Sequence, residues 1–306
     1  MAHDQDHDHL HDHGHNPGVE GRGDWQVAGA VAVNLILSAA QIIGGIIAGS
    51  VALIADALHN FSDALALIVA FAARRIARRP ATPAMSFGYG RAEVVAALVN
   101  YTTLVVISVW LGYAAIGRMI DPPAVQGRIV VLLAGLALVI NSLTALLTFR
   151  LAKDSVNIRA AFLHNLSDTA TSLAVILGGM LIMLYDWRWV DPAITLGISL
   201  WILWHCLKEI GPVIRILMLG APEGLTDAAL RAEIGAVAGV AGLHHLHLWQ
   251  IDEKRTSLEA HLVLAEGADP ADVLARVKGR LKERFGLSHA TFEVERAGGP
   301  CSGQVC

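Results

Sequence analysis

The sequence predicts an α-helical membrane protein, with six transmembrane helices followed by a small α+β domain of order αββαβ. Three observations carry this. Only 16% of the 306 residues are charged and 54% are hydrophobic, with a mean hydropathy of +0.52, whereas a soluble domain usually carries about 25% charge. Apolar segments recur at 27–48, 51–72, 91–115, 129–149, 158–184 and 190–210, each close to the ~20 residues a helix needs to cross about 30 Å of hydrocarbon. Past Gly211 this pattern gives way to short amphipathic and alternating stretches.

The links between the apolar segments are short and rich in turn residues. Gly49-Ser50 joins the first pair, Arg79-Pro80 through Gly90 the second and third, Asp121-Pro122-Pro123 follows the third, and Asp186 to Pro192 separates the last pair. Positive charge sets the orientation. Arg74, Arg75, Arg78, Arg79 and Arg91 flank the second link, Arg150, Lys153 and Arg159 the fourth, and Lys208 and Arg215 follow the sixth span. The opposite side has Arg118, Arg128 and Arg188. An even number of spans puts both termini on one side, and the bias makes that side cytoplasmic, in a cell (inner) membrane.

Beyond the spans, Leu225–Val240 reads as an amphipathic helix capped by Thr226-Asp227. Leu243–Ile251 and Ser257–Leu264 alternate like strands. Asp269-Pro270 opens a helix that Gly286 closes, and His289–Glu295 alternates again. The expected organisation is a His-rich tail (1–24), a membrane domain (25–210), an α+β domain (211–296) and a Cys-containing tail (297–306).

Composition excludes several classes. A net charge of −4 with no basic stripe gives no footprint for nucleic acid. Cys206, Cys301 and Cys306 make no disulfide framework. The N-terminus MAHDQDHDHLHDHGHNPG lacks the charged and apolar regions of a cleaved signal peptide.

The spans themselves hold the chemistry. A charge at the bilayer centre costs at least about 2.5–3.5 kcal/mol, so ionisable residues there face a cavity and have a task. The second span holds Asp56, His59 and Asp63, and the fifth His164 and Asp168; Glu93 and His205 lie near span ends. His59 and Asp63 are i and i+4 on one helix face, and His164 and Asp168 repeat that spacing, within the matching words HNFSD and HNLSD. At ~1.5 Å per residue, Asp63 lies ~14 Å and His59 ~20 Å from the end of span two; His164 lies ~12 Å and Asp168 ~18 Å from the start of span five. In antiparallel helices these four groups fall in one layer. Two imidazoles and two carboxylates form an N₂O₂ shell suited to tetrahedral zinc, whereas magnesium or calcium would take oxygens alone. Competing readings are a polar cluster that fixes helix packing and a metal-free proton relay. Asp56, a turn before His59, orients a ligand, carries protons or lines a wet cavity. Asn34, Asn100 and Asn141 read as interhelical hydrogen-bonders.

Four stretches, GSVALIADALHNFSD, FGYGRAEVVAALVN, NIRAAFLHNLSD and LHHLHLW, resemble the signatures of the cation diffusion facilitator family over nearly the whole chain. The resemblance implies a homodimer of six-helix subunits with a ferredoxin-like cytoplasmic domain, exchanging cytoplasmic zinc for protons. It implies His59, Asp63, His164 and Asp168 as transport ligands. The absence of a long His-rich loop between spans four and five makes the chain resemble bacterial members. Proton exchange also has a chemical basis. Zinc binds neutral imidazole and carboxylate and so competes with protons, and imidazole titrates near pH 6.5.

Other histidines are candidate ligands. His3, His7, His9, His11, His13 and His15 read as a flexible metal-collecting tail. Along the strand from His244, His245 and His247 have the other parity, so His244, His245 and His247 are not expected to face one site. The family resemblance implies His244, His261 and Glu295 as a regulatory zinc site, with Cys301, Cys306 and His289 as further ligands. The expected function is zinc/proton antiport out of the cytoplasm. Alternatives are the same antiport of cadmium, cobalt or nickel, or a membrane-tethered metal sensor that moves no ion. An enzyme is not expected, since no nucleophile–base pair or HExxH helix occurs.

Overall fold

A computed structural model describes residues 17–151, 156–287 and 289–296. The His-rich segment before Pro17 and the tail with Cys301 and Cys306 lie outside the described residues. Six long helices come first: α1 (Pro17–Ala48), α2 (Val51–Ala77), α3 (Arg91–Ile120), α4 (Gly127–Leu151), α5 (Val156–Tyr185) and α6 (Val190–Leu217). All six carry a stretch apolar and long enough to cross a membrane. Their outward faces are lined with Ile36, Val106, Trp110, Leu132, Leu177 and Trp204, all exposed, as expected where lipid rather than water is the solvent.

The helices overrun the predicted spans because further turns continue the ladder past the apolar stretch. In α6 the helix runs through Gly211 and Pro212 to Leu217. α2 is the central element. It packs on α1, α3, α5 and α6, and its buried face is mostly small: Ala52, Ala55, Ala57, Asn60, Ser62 and Ala64. Small side chains let helix backbones approach closely where lipid offers no hydrophobic driving force.

The end of the bundle remote from the C-terminal domain is stitched by polar contacts. Gly49 turns the chain with φ 71°, a conformation glycine adopts freely. Ser50 caps α2 by accepting from Leu53 N at 3.1 Å. Asp191, 2% exposed at the start of α6, accepts from Ser50 Oγ and, at 2.9 Å, from Val51 N. Arg118 Nη1 donates to Gly49 O at 2.6 Å. Asp191→Ala removes the acceptor for buried donors, and hydrogen bonds to a charged group are worth about 1.5–3 kcal/mol each. The variant is expected to lose about 2–4 kcal/mol in thermal unfolding of the detergent-solubilised protein, while Asp186→Ala, at an exposed pair with Arg188, leaves unfolding unchanged.

The C-terminal domain comprises α7 (Asp227–Gly235), β1 (Val240–Gln250), β2 (Thr256–Leu264), α8 (Pro270–Phe285) and β3 (His289–Arg296). β1 and β2 form an antiparallel hairpin, and α8 returns the chain so that β3 runs parallel to β2. This is the αββαβ order read from the sequence. One helix is shorter than predicted: α7 stops at Gly235, and Gly239, at φ 93°, turns the chain so that Val240 opens β1. From Leu258 onward β2 alternates, burying Leu258, Ala260, Leu262 and Leu264 against Leu230, Ile234, Val273, Val277 and Leu281. Its other face, with Glu259 and His261, is turned away from the helices.

Both parts of the chain meet at the β1–β2 turn. Asp252 Oδ1 accepts from Lys254 N at 3.0 Å and Arg255 N at 2.8 Å. Partial burial pushes the Asp252 carboxyl up, but these bonds and that from Arg255 Nε outweigh it and hold the group below the usual range. Arg255 Nη2 reaches Phe87 O at 3.1 Å, and Arg91 Nε reaches Ile251 O at 2.9 Å.

Candidate metal centre

α2 and α5 bring the two repeated words together. His59 Nε2 lies 3.4 Å from Asp168 Oδ1 and 3.7 Å from Asp63 Oδ2. One donor atom from each residue falls within 4.8 Å of the others, so the antiparallel-layer expectation holds for these three. His164 lies one turn before Asp168 on α5; its side chain is outside the described residues. Imidazole and carboxylate are donor types that bind divalent metal ions.

One turn further into the bundle is Asp56, 1% exposed. Its Oδ2 accepts from Gln41 Nε2 at 2.9 Å, and Ser172 Oγ lies 3.4 Å from both carboxylate oxygens. Ser172 follows Asp168 by one turn of α5, so this layer sits directly beneath the first and ties α1, α2 and α5 together. Sequence reasoning missed Gln41, although an amide inside the first apolar span was a signal for it; Ser172 carries no sequence signal, since buried serines are common in packed helices. Of the expected interhelical asparagines, Asn100 Oδ1 accepts from Ser62 Oγ at 3.4 Å. Asn34 Oδ1 and Asn141 Nδ2 find no hydrogen-bond partner among the described residues.

A second group lies on the open face of the C-terminal sheet. His261 Nδ1 is 2.7 Å from Glu295 Oε1, and His244 Nε2 is 3.3 Å from Glu295 Oε2. The bond with His261, aided by His244, holds the Glu295 carboxyl below the usual glutamate range. Glu293 Oε2 lies 3.4 Å from His261 Nε2; two residues from Glu295 in β3, it shares that face by strand parity and sequence reasoning missed it.

His245 corrects the parity expectation. His244 pairs with His261 and His247 with Glu259, so three steps of β1 oppose two of β2. The extra residue makes a β-bulge, and His245, at φ 48°, swings onto the face of its neighbour. Its ring centroid is 4.7 Å from that of His261 and 5.2 Å from that of His244. His289 is a correction in the other direction. It pairs with Ser257, four positions along β2 from His261, and its ring packs edge-on to Phe87 at 6.2 Å.

The chain matches the family model described as the cation efflux transmembrane domain over residues 27–218, and that of the cation efflux protein cytoplasmic domain over residues 222–297. It is 35% identical to the cation efflux system protein CzcD of Alcaligenes sp. over 266 residues, covering 86% of this chain and 83% of that protein. It is 34% identical to the zinc transporter ZitB of Pectobacterium atrosepticum over 261 residues, covering 84% and 80%. To the cadmium, cobalt and zinc/H(+)-K(+) antiporter of Bacillus subtilis it is 32% identical over 260 residues, covering 83% of each chain. With two family models in tandem and relatives matched over most of their length, the chain belongs to the cation diffusion facilitator family, also called the cation efflux family.

Proposed function

We propose that this protein exports zinc across the cell (inner) membrane in exchange for protons, as a homodimer with both termini in the cytoplasm. The observation that carries the reading is the convergence of His59, Asp63 and Asp168 inside the bundle, their donor atoms within 4.8 Å of one another, with His164 as the fourth ligand by the repeat of the HNxSD word. Asp56, braced by Gln41 and Ser172, orients this layer from below. The names of the relatives, a zinc transporter and a cadmium, cobalt and zinc/H(+)-K(+) antiporter, support both the ion and the exchange. The second of these names also supports cadmium and cobalt as further cargo.

Exchange follows from ligand chemistry. Each imidazole and carboxylate must be deprotonated to hold the ion. When the site opens to a more acidic medium, protons displace the ion; when it opens to the cytoplasm, the ion displaces protons. Alternating access then couples the two fluxes. His244, His261 and Glu295, joined by His245 and Glu293, form a regulatory zinc site on the cytoplasmic domain, which the tail cysteines Cys301 and Cys306 extend.

Metal uptake into proteoliposomes with an imposed pH gradient tests the proposal. Zinc flux is expected to rise when the compartment receiving zinc is the more acidic and to fall when the gradient is reversed. Zinc binding with no flux in either direction would leave a tethered sensor as the reading.

A further inference from the structure

A cavity of about 790 Å³ lies where α2 leaves the membrane, and both parts of the chain wall it. The end of α2 and the following link contribute Arg74, Arg78 and Arg79, and the C-terminal domain contributes Lys254, Arg255 and His289. Arg255 is engaged by Asp252 at 2.6 Å. Arg74, Arg78, Arg79 and Lys254 make no ion pair among the described residues. The carboxylates of the lining that remain, Glu93 and Glu253, also line an adjoining cavity of about 220 Å³ beside Asn100 and Tyr101. The lining thus carries five cationic side chains, Arg74, Arg78, Arg79, Lys254 and Arg255, against the three carboxylates of Glu93, Asp252 and Glu253, and is net positive.

Exposed apolar side chains accompany the lining: Phe87, 50% exposed, is part of it, and Phe71 and Met85, 65% and 46% exposed, lie close to it in sequence. Membrane orientation alone accounts for arginines after a span. It does not account for a cavity whose far wall is another domain and whose lysine comes from that wall.

We propose that this cavity binds the phosphate headgroup of an anionic phospholipid, and that the bound headgroup clamps the β1–β2 turn of the C-terminal domain to the end of α2. Basic pockets between helices on the cytoplasmic side suit such headgroups. Guanidinium groups at the helix end hold phosphate oxygens in paired hydrogen bonds, and Lys254 closes the site from the other domain. The inference rests on the membrane reading of the six helices and not on which ion is carried.

The test is a titration of the full-length protein, in a zwitterionic detergent without zinc, with phosphatidylglycerol and with phosphatidylcholine, read by native mass spectrometry. Phosphatidylglycerol binding is expected to weaken roughly fivefold in Arg78→Gln and again in Lys254→Gln, the contribution of one basic residue near a phosphate. Arg75→Gln, which removes an exposed cation from the same helix turn outside the cavity, is expected to leave binding near wild type. Equal loss in Arg75→Gln, or no loss in Arg78→Gln and Lys254→Gln, would overturn the proposal. So would displacement of the lipid by glycerol phosphate at matching concentration, which would make the ligand a soluble phosphate ester. Each variant is checked for an unchanged unfolding temperature in detergent without added anionic lipid. Lipid binding is read without metal flux, so its failure and the failure of the transport reading are separate results.

Discussion

Asp168→Ala is expected to abolish zinc flux in proteoliposomes, by a hundredfold or more, while the protein still folds. Loss of a group that merely orients a ligand typically costs about 10–100-fold in metal affinity or activity, and Asp168 would be a ligand itself. It is 5% exposed, with its carboxylate 3.4 Å from His59. The stability arm separates transport from the competing structural reading. If the His-Asp layer served to hold α2 against α5, removing Asp168 would leave a buried imidazole uncompensated and cost about 3–5 kcal/mol. If the layer is an ion site kept open at the expense of stability, the carboxylate burden falls on removal, and the unfolding temperature holds or rises. Asp63→Ala is expected to follow the same pattern. Flux equal to wild type in both variants would refute the site.

The pattern of these two residues also shows why this site was legible. Ionisable groups inside apolar spans are too costly to be incidental, and a repeated word at helical spacing fixes which face each presents. Those two facts place His59, Asp63 and Asp168 in one layer before any coordinate is known. The same reasoning fails at His245, for a definite reason. Strand parity assumes one residue per step, and the bulge between His244 and His247 adds one. Nothing in LHHLHLW marks it, since a non-glycine residue at φ 48° is chosen by the surrounding sheet and not by its own preference. Likewise the end of α7 was misjudged because Val237 and Val240 continue an apolar pattern that suits either a helix or the start of a strand. The polar stitching at Asp191 was also invisible, because it depends on Ser50 and Asp191, far apart in sequence, meeting at one end of the bundle.

Ion choice should respond to a single donor. His59 gives the described part of the layer its one nitrogen, and its Nε2 is the atom within 3.7 Å of both carboxylates. A glutamate reaches about as far from its Cα as that nitrogen does, so His59→Glu keeps the donor in place and changes only its chemistry. With His164 the shell becomes one nitrogen and three oxygens. Oxygen-rich sets favour harder ions such as manganese, and imidazole favours zinc. In a flux panel, His59→Glu is expected to move the zinc-to-manganese ratio by on the order of tenfold toward manganese, equivalent to about 1.4 kcal/mol of discrimination. His59→Ala, which removes the donor without replacing it, is expected to lower flux of both ions and leave the ratio closer to wild type. An unchanged ion ratio would mean that selectivity is set elsewhere, by the access path or by the layer of Asp56, Gln41 and Ser172 beneath.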